Sequence, residues 1–142
     1  VALTPCIVPR VGKPGFSIND DEMEIGMGIH GEAGIRTGKL ETADQITDEM
    51  LDKIISDLPF ESGDTVDVLV NGLGATPLDE QYIVTRRINQ YLSEKNIIVH
   101  RFYVGEYVTA IEMSGLSISV LKLDDELKEL MEAPACTPFF VQ

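Results

Sequence analysis

Tryptophan is absent from the sequence, cysteine and histidine occur twice each, and 11 basic residues face 24 acidic ones. Each scarcity narrows the reading. Cys6 and Cys136 lie far apart without C-x-x-C spacing, which argues against a disulfide framework or a thiolate metal site. They read as reduced thiols of a cytoplasmic protein. The formal charge of −13 would repel nucleic-acid phosphates over most of the surface. That acidity serves solubility first, and a basic partner surface stays open. No run approaches the roughly 18 apolar residues of a membrane span. No basic segment followed by an apolar one marks a signal peptide. Neither nucleic acid nor membrane is an expected partner.

What is present suffices for one domain. A chain of 142 residues, 44% hydrophobic and 25% charged, can bury a core without metal or disulfide staples. It opens on Val1 rather than Met, within an already strand-like stretch. This predicts a cut inside a longer polypeptide, with an N-terminal part absent from this chain.

Apolar periodicity outlines the elements. "VALTPCIV" is β-branched and apolar and predicts a strand; the stretch from Pro9 to Glu22 reads as a loop. In "EMEIGMGI", Met23, Ile25, Met27 and Ile29 alternate onto one strand face. Ile46, Met50, Leu51, Ile54 and Leu58 fall at helical spacing, and Thr42 with Gln45 fits a capping box. "GDTVDVLVNGLG" predicts a strand. Thr76 as N-cap and Pro77 at the first helical position predict a helix to about Ser93, burying Leu78, Tyr82, Ile83, Ile88 and Leu92. "NIIVHRFYVGEYV" and "LSISVLKL" are further strands, and "DDELKELMEA" is a short helix opened by acids that suit its dipole. The expected fold is an α/β domain of α+β type. It has two layers, with a mixed sheet of about six strands and helices mainly on one face.

The chemistry concentrates at His30, in "GMGIHGEAGI". Gly28, Gly31, Ala33 and Gly34 put no bulk around the ring. A neutral imidazole at such a place can act as base, metal ligand or nucleophile; a turn histidine bonded to backbone is the other reading. His30-Gly31-Glu32 matches half of a zinc deaminase signature. The completing P-C-x-x-C is missing, so no metal is assigned. The Asn71 to Pro77 loop is either a structural turn or an anion-binding loop. The acids from Asn19 to Glu24 lack the EF-hand order and read as a solvated loop. His100 lies in a strand, at same-face spacing with Ile98 and Phe102, and reads as structural. Asp124 and Asp125 start the last helix.

"GKPGFSINDDEMEIGMGIHGEAGI", "LVNGLGATPLDEQYIV" and "SISVLKLDDELKELMEAPACTP" together resemble the C-terminal half of the dihydroxyacetone kinase substrate-binding subunit. The resemblance covers nearly the whole chain. Two departures are visible. Ala33 stands where the family usually has proline, and the stretch 55–63 is shorter than in some members. The resemblance implies that His30 attacks the ketone carbon of dihydroxyacetone and holds it as a hemiaminal. Glycerol, lacking a carbonyl, would be refused. It also implies a separate nucleotide-bearing subunit, with ADP or ATP and magnesium there and no cofactor in this chain. The phosphoenolpyruvate-dependent type fits a chain that stops directly after the family's closing segment. The catalytic aspartate belongs to the missing N-terminal domain, the full subunit is expected to form a homodimer, and Glu32 is an unassigned neighbour of His30. A dihydroxyacetone-binding coactivator of a transcription regulator, or an ATP-dependent glycerone kinase, would carry the same residues.

Overall fold

The structure is a computed structural model that describes residues 1–28 and 32–142. Among these residues the chain forms five strands and three helices. In order they are β1 (Glu22–Ile25), β2 (Arg36–Lys39), α1 (Ala43–Asp57), β3 (Thr65–Gly72), α2 (Leu78–Glu94), β4 (Ile98–Gly105), β5 (Leu116–Leu123) and α3 (Asp125–Glu132). The mixed α/β architecture agrees with the expectation; the strand count is one lower, and the strands divide into two sheets. The larger sheet has the order β4-β3-β5, with β3 parallel to β4 and antiparallel to β5. β1 and β2 form a separate antiparallel hairpin.

Alternation in β3 builds the core. Val66, Val68 and Val70 are fully buried on one face. They pack in one cluster with Leu51 of α1 and with Val84, Ile88 and Leu92 of α2. Burying such a side chain contributes about 1.5–3 kcal/mol. The helices run side by side in the same direction, and polar pairs in matching order join them. Arg86 meets Asp44, Arg87 meets Asp48 through two bonds of 2.6 and 3.0 Å, and Tyr91 donates to Asp52. Burial first, then the Asp52 carboxylate, push the Tyr91 hydroxyl well above the ordinary tyrosine range. The predicted capping box is present: Gln45 N–H donates to Thr42 Oγ1 at 3.3 Å, and Thr42 N–H to Gln45 Oε1 at 3.1 Å.

Several local expectations are corrected. The strand at "VALTPCIV" is reduced to single bridges at Ala2 and Ile7. Ala2 exchanges bonds of 2.8 and 2.9 Å with Glu24, while Leu3 and Thr4 N–H both turn to Ser114 O. The segment is therefore a seam between hairpin and sheet rather than a paired strand. The strand through Ile29 stops at Ile25, because Gly26 takes φ +79°. β2, "RTGK", has no apolar alternation and was not foreseen. In α2 the buried face is Gln81, Val84, Ile88, Tyr91 and Leu92, and Leu78, Tyr82 and Ile83 are exposed. Polar anchors turned the helix: Gln81 Nε2 donates to Thr76 O and to Glu106 Oε1, both at 2.9 Å. Pro77, not Thr76, is the N-cap of α2, because Thr76 Oγ1 is engaged with the backbone of Gly115. α3 is capped as expected, with Asp124 Oδ1 accepting from Leu127 N–H at 2.7 Å. Among the described residues, no helix is long and apolar enough to cross a membrane.

Candidate functional site

His30 falls in residues 29–31, outside the described residues, so its role rests on the frame around it. That frame is the β1–β2 hairpin. Its register pairs Met23 with Gly38 and Ile25 with Arg36. Met23 and Ile25 are buried against Ile46 of α1, which seats the hairpin on the helix layer. Arg36 reinforces the seat through Glu49 Oε1 and Glu41 Oε1, both at 2.8 Å. The Arg36 bond holds the Glu49 carboxyl below its ordinary range and raises Arg36 in turn. Lys39 pairs with Asp21 at the hairpin's outer end.

Backbone bonds join the described ends of the connection between the strands. Ile35 N–H donates to Ile25 O at 2.7 Å, and Gly28 N–H to Glu32 O at 3.1 Å. Gly34 N–H donates to Glu24 Oε1 at 2.7 Å. Glycine is required here for space as well as backbone freedom. A methyl at Gly26 would lie 2.6 Å from Ile35 Cγ1, one at Gly34 would lie 2.6 Å from Glu24 Cγ, and one at Gly28 would run into the Glu32 carboxylate. The composition therefore reports close packing at Gly26, Gly28 and Gly34. The Glu32 carboxylate lies against Gly28. Glu24 and Arg36 are the structuring residues that sequence reasoning passed over. A glutamate inside an alternating strand, and an arginine beyond a glycine-rich turn, were the available signals.

The other candidates separate from this hairpin. Asn71 is buried, and all its polar atoms hold the 106–115 connection. Oδ1 accepts from Tyr107 N–H at 2.7 Å and Val108 N–H at 2.8 Å, and Nδ2 donates to Val108 O at 2.9 Å and Ser117 Oγ at 3.3 Å. Ala75 N–H donates to Met113 O at 3.1 Å. A side chain at Gly74, φ +118°, would strike the backbone oxygen of Ile111. The 71–77 loop is therefore a structural clasp. The acidic loop is bound to itself and to the hairpin: Asn19 Nδ2 donates to Glu22 Oε2 at 2.7 Å, and Asp21 pairs with Lys39. His100 is structural, but not on the expected face. A bulge opposite Val66 and Asp67 breaks the period-2 pattern. Val99 and Phe102 pack on the helix side, while His100 bridges Asp67 and Glu132, each at 2.9 Å.

These features define a mixed α/β domain with a glycine-framed hairpin, in whose connection the sequence places His30. Residues 1–139 match the Dak1 domain, and the chain belongs to that family. Over 140 residues it is 44% identical to "PTS-dependent dihydroxyacetone kinase 2, dihydroxyacetone-binding subunit DhaK" of Listeria innocua, covering 99% of this chain and 42% of that protein. The chain thus spans less than half the length of that relative, in its C-terminal half. Among solved structures, a "Dihydroxyacetone kinase operon co-activator Dha-DhaQ" superposes with TM-score 0.85 at 30% identity, over 94% of this chain and 42% of that one. The dihydroxyacetone kinase from C. freundii, solved in complex with AMP-PNP and Mg2+, gives TM-score 0.72 at 26% identity, over 93% of this chain and 24% of that one.

Proposed function

We propose that this chain is the substrate-capturing part of a dihydroxyacetone-binding kinase subunit and that His30 makes the covalent bond. One observation carries the reading: 44% identity to a PTS-dependent dihydroxyacetone-binding subunit runs through the glycine-framed hairpin and over 99% of the chain. A ring nitrogen of His30 adds its lone pair to the ketone carbon of dihydroxyacetone. The N–C bond forms as the C=O π pair moves to oxygen, which takes up a proton, and the ring N–H proton leaves to solvent. The hemiaminal hydroxyl and the two carbinols then differ in position, and one carbinol is presented for phosphorylation. The base for that step belongs to the N-terminal domain, which precedes this stretch in the full subunit. The nucleotide, ADP or ATP with magnesium, belongs to a separate kinase subunit fed by the phosphoenolpyruvate phosphotransferase system. The full subunit is a homodimer in this reading, and the 142-residue piece alone is inactive.

The higher TM-score of the co-activator favours a second reading, in which the same adduct serves sensing rather than phosphoryl transfer. One experiment addresses both. The full-length protein is incubated with dihydroxyacetone and examined by native intact mass spectrometry, alone and with a nucleotide-bearing kinase subunit. A mass gain of one dihydroxyacetone, absent in His30→Ala and absent with glycerol, is expected. Turnover to dihydroxyacetone phosphate with the second subunit supports the kinase, and adduct without turnover supports the co-activator. No adduct in the wild type, or an adduct retained in His30→Ala, overturns the assignment of His30.

A further inference from the structure

The face of the main sheet opposite α1 and α2 is not closed. α3 and the tail after it stand over this face and leave a hollow of about 610 Å3. Its walls include Leu69 and Leu121 of the sheet, Leu130 and Met131 of α3, and the rings of Tyr103 and Phe140. Those two ring centroids are 6.0 Å apart. The tail is ordered by specific bonds. Gln142 N–H donates to Ala135 O at 2.8 Å, Gln142 Nε2 to Ala133 O at 3.0 Å, and Tyr103 Oη to Gln142 Oε1 at 2.9 Å. The size and apolar lining are those of small-molecule sites, which place a few polar groups in such a wall.

Here the polar group is Asp67. It also lines the hollow, and its side chain is only 3% exposed. His100 Nδ1 meets Oδ1 at 2.9 Å, whereas Oδ2 is buried with no hydrogen-bond partner. A buried carboxylate oxygen without a donor is unfavourable by amounts that proteins rarely leave uncompensated. Arg101 does not supply the donor. It is the register partner of Asp67, yet its guanidinium lies over the Tyr103 ring, 5.9 Å from the centroid. Asp67 and Glu132 share the single imidazole of His100, so two carboxyl groups meet one ring.

We propose that this hollow is a second binding site, distinct from the hairpin, for a small molecule with a protonated amine and an apolar body. The ammonium donates to Asp67 Oδ2, and the body lies against the leucines and rings. Binding needs both halves. A neutral alcohol of the same shape forgoes the charge-assisted bond, and a carboxylate is repelled.

The test uses the full-length protein and three probes of similar shape: 2-phenylethylamine, 2-phenylethanol and 3-phenylpropanoate. Affinity is read by calorimetry, and location by methyl NMR of Leu121, Leu130 and Met131. The amine is expected to bind about tenfold more tightly than the alcohol, and the carboxylate not at all. Asp67→Asn should weaken the amine by about tenfold and leave the alcohol unchanged. Asp67 also holds His100, so a second variant guards against misfolding: Leu121→Trp fills the hollow from an exposed strand position and should abolish binding of the amine with an unchanged melting temperature. Equal affinity for amine and alcohol, binding unaffected by Asp67→Asn, methyl shifts elsewhere, or no binding of the amine overturns the proposal. Binding gained only in Arg101→Met overturns it as well, since Arg101 would then be the native partner of Asp67.

Discussion

The hairpin and the main sheet are held together by different physics. In the sheet, the three β3 valines are fully buried beneath α1 and α2, and apolar burial carries the structure. Among the described hairpin residues, Met23 and Ile25 reach a core, and the others hold by glycine packing, backbone bonds and charged pairs. The sheet can lose a surface contact without changing shape. In the hairpin, Gly26, Gly28 and Gly34 each admit a close approach that a side chain would block. That contrast suits a division of labour in which the sheet supplies stability and the hairpin supplies local geometry.

The strongest way to break the contrast is in the core. Leu92→Ala empties a fully buried position of α2 and should lower unfolding free energy by about 2–5 kcal/mol, measured by chemical denaturation. Amide protection at Ile35 and Gly28, in the hairpin, should change only through global unfolding. A loss under about 1 kcal/mol would show that the sheet core is not the main source of stability.

Gly26→Val acts in the other region. It combines a positive φ with a collision against Ile35 and should destabilise by about 1–3 kcal/mol. The sharper readout is local: hydrogen exchange at the Ile35 amide should accelerate well before the β3 amides do. Uniform acceleration across both regions would mean that hairpin and sheet open as one unit.

The smallest effect is electrostatic. Arg36 holds Glu49 below its ordinary value of 4.5. A depressed carboxylate contributes stability above its unfolded pKa and loses it as pH falls through the folded value. Protection of the hairpin amides should therefore weaken on acidification below about pH 4.5. Glu49→Gln should flatten that dependence, and added salt should reduce it. An unchanged acid profile in Glu49→Gln would remove this pair from the hairpin's support.

Much of this molecule is legible along the chain. The alternation of β3 and β5, the capping box at Thr42 and Gln45, and the acidic start of α3 are local patterns set by local sterics and hydrogen bonds. The concentration of glycine around His30 likewise marked a place where backbone must come close to something. What sequence reasoning named as the neighbour was a substrate; the described structure puts Ile35, Glu24 and Glu32 against Gly26, Gly34 and Gly28.

The unforeseen features share one cause: each depends on a partner distant in sequence. Which stripe of α2 is buried was decided by Gln81 reaching Glu106 and Arg87 reaching Asp48, not by counting apolar residues. β2 exists because β1 and α1 hold it, although "RTGK" has no strand pattern. The face on which His100 sits was decided by a bulge, and the hollow beside Asp67 by the path of the tail after α3. Sequence by itself determined the fold class and the position of the candidate histidine, because periodicity and backbone chemistry are local. Only tertiary structure decided which polar groups are buried and which of them lack a partner, because a hydrogen bond across the sheet leaves no periodic trace in the chain.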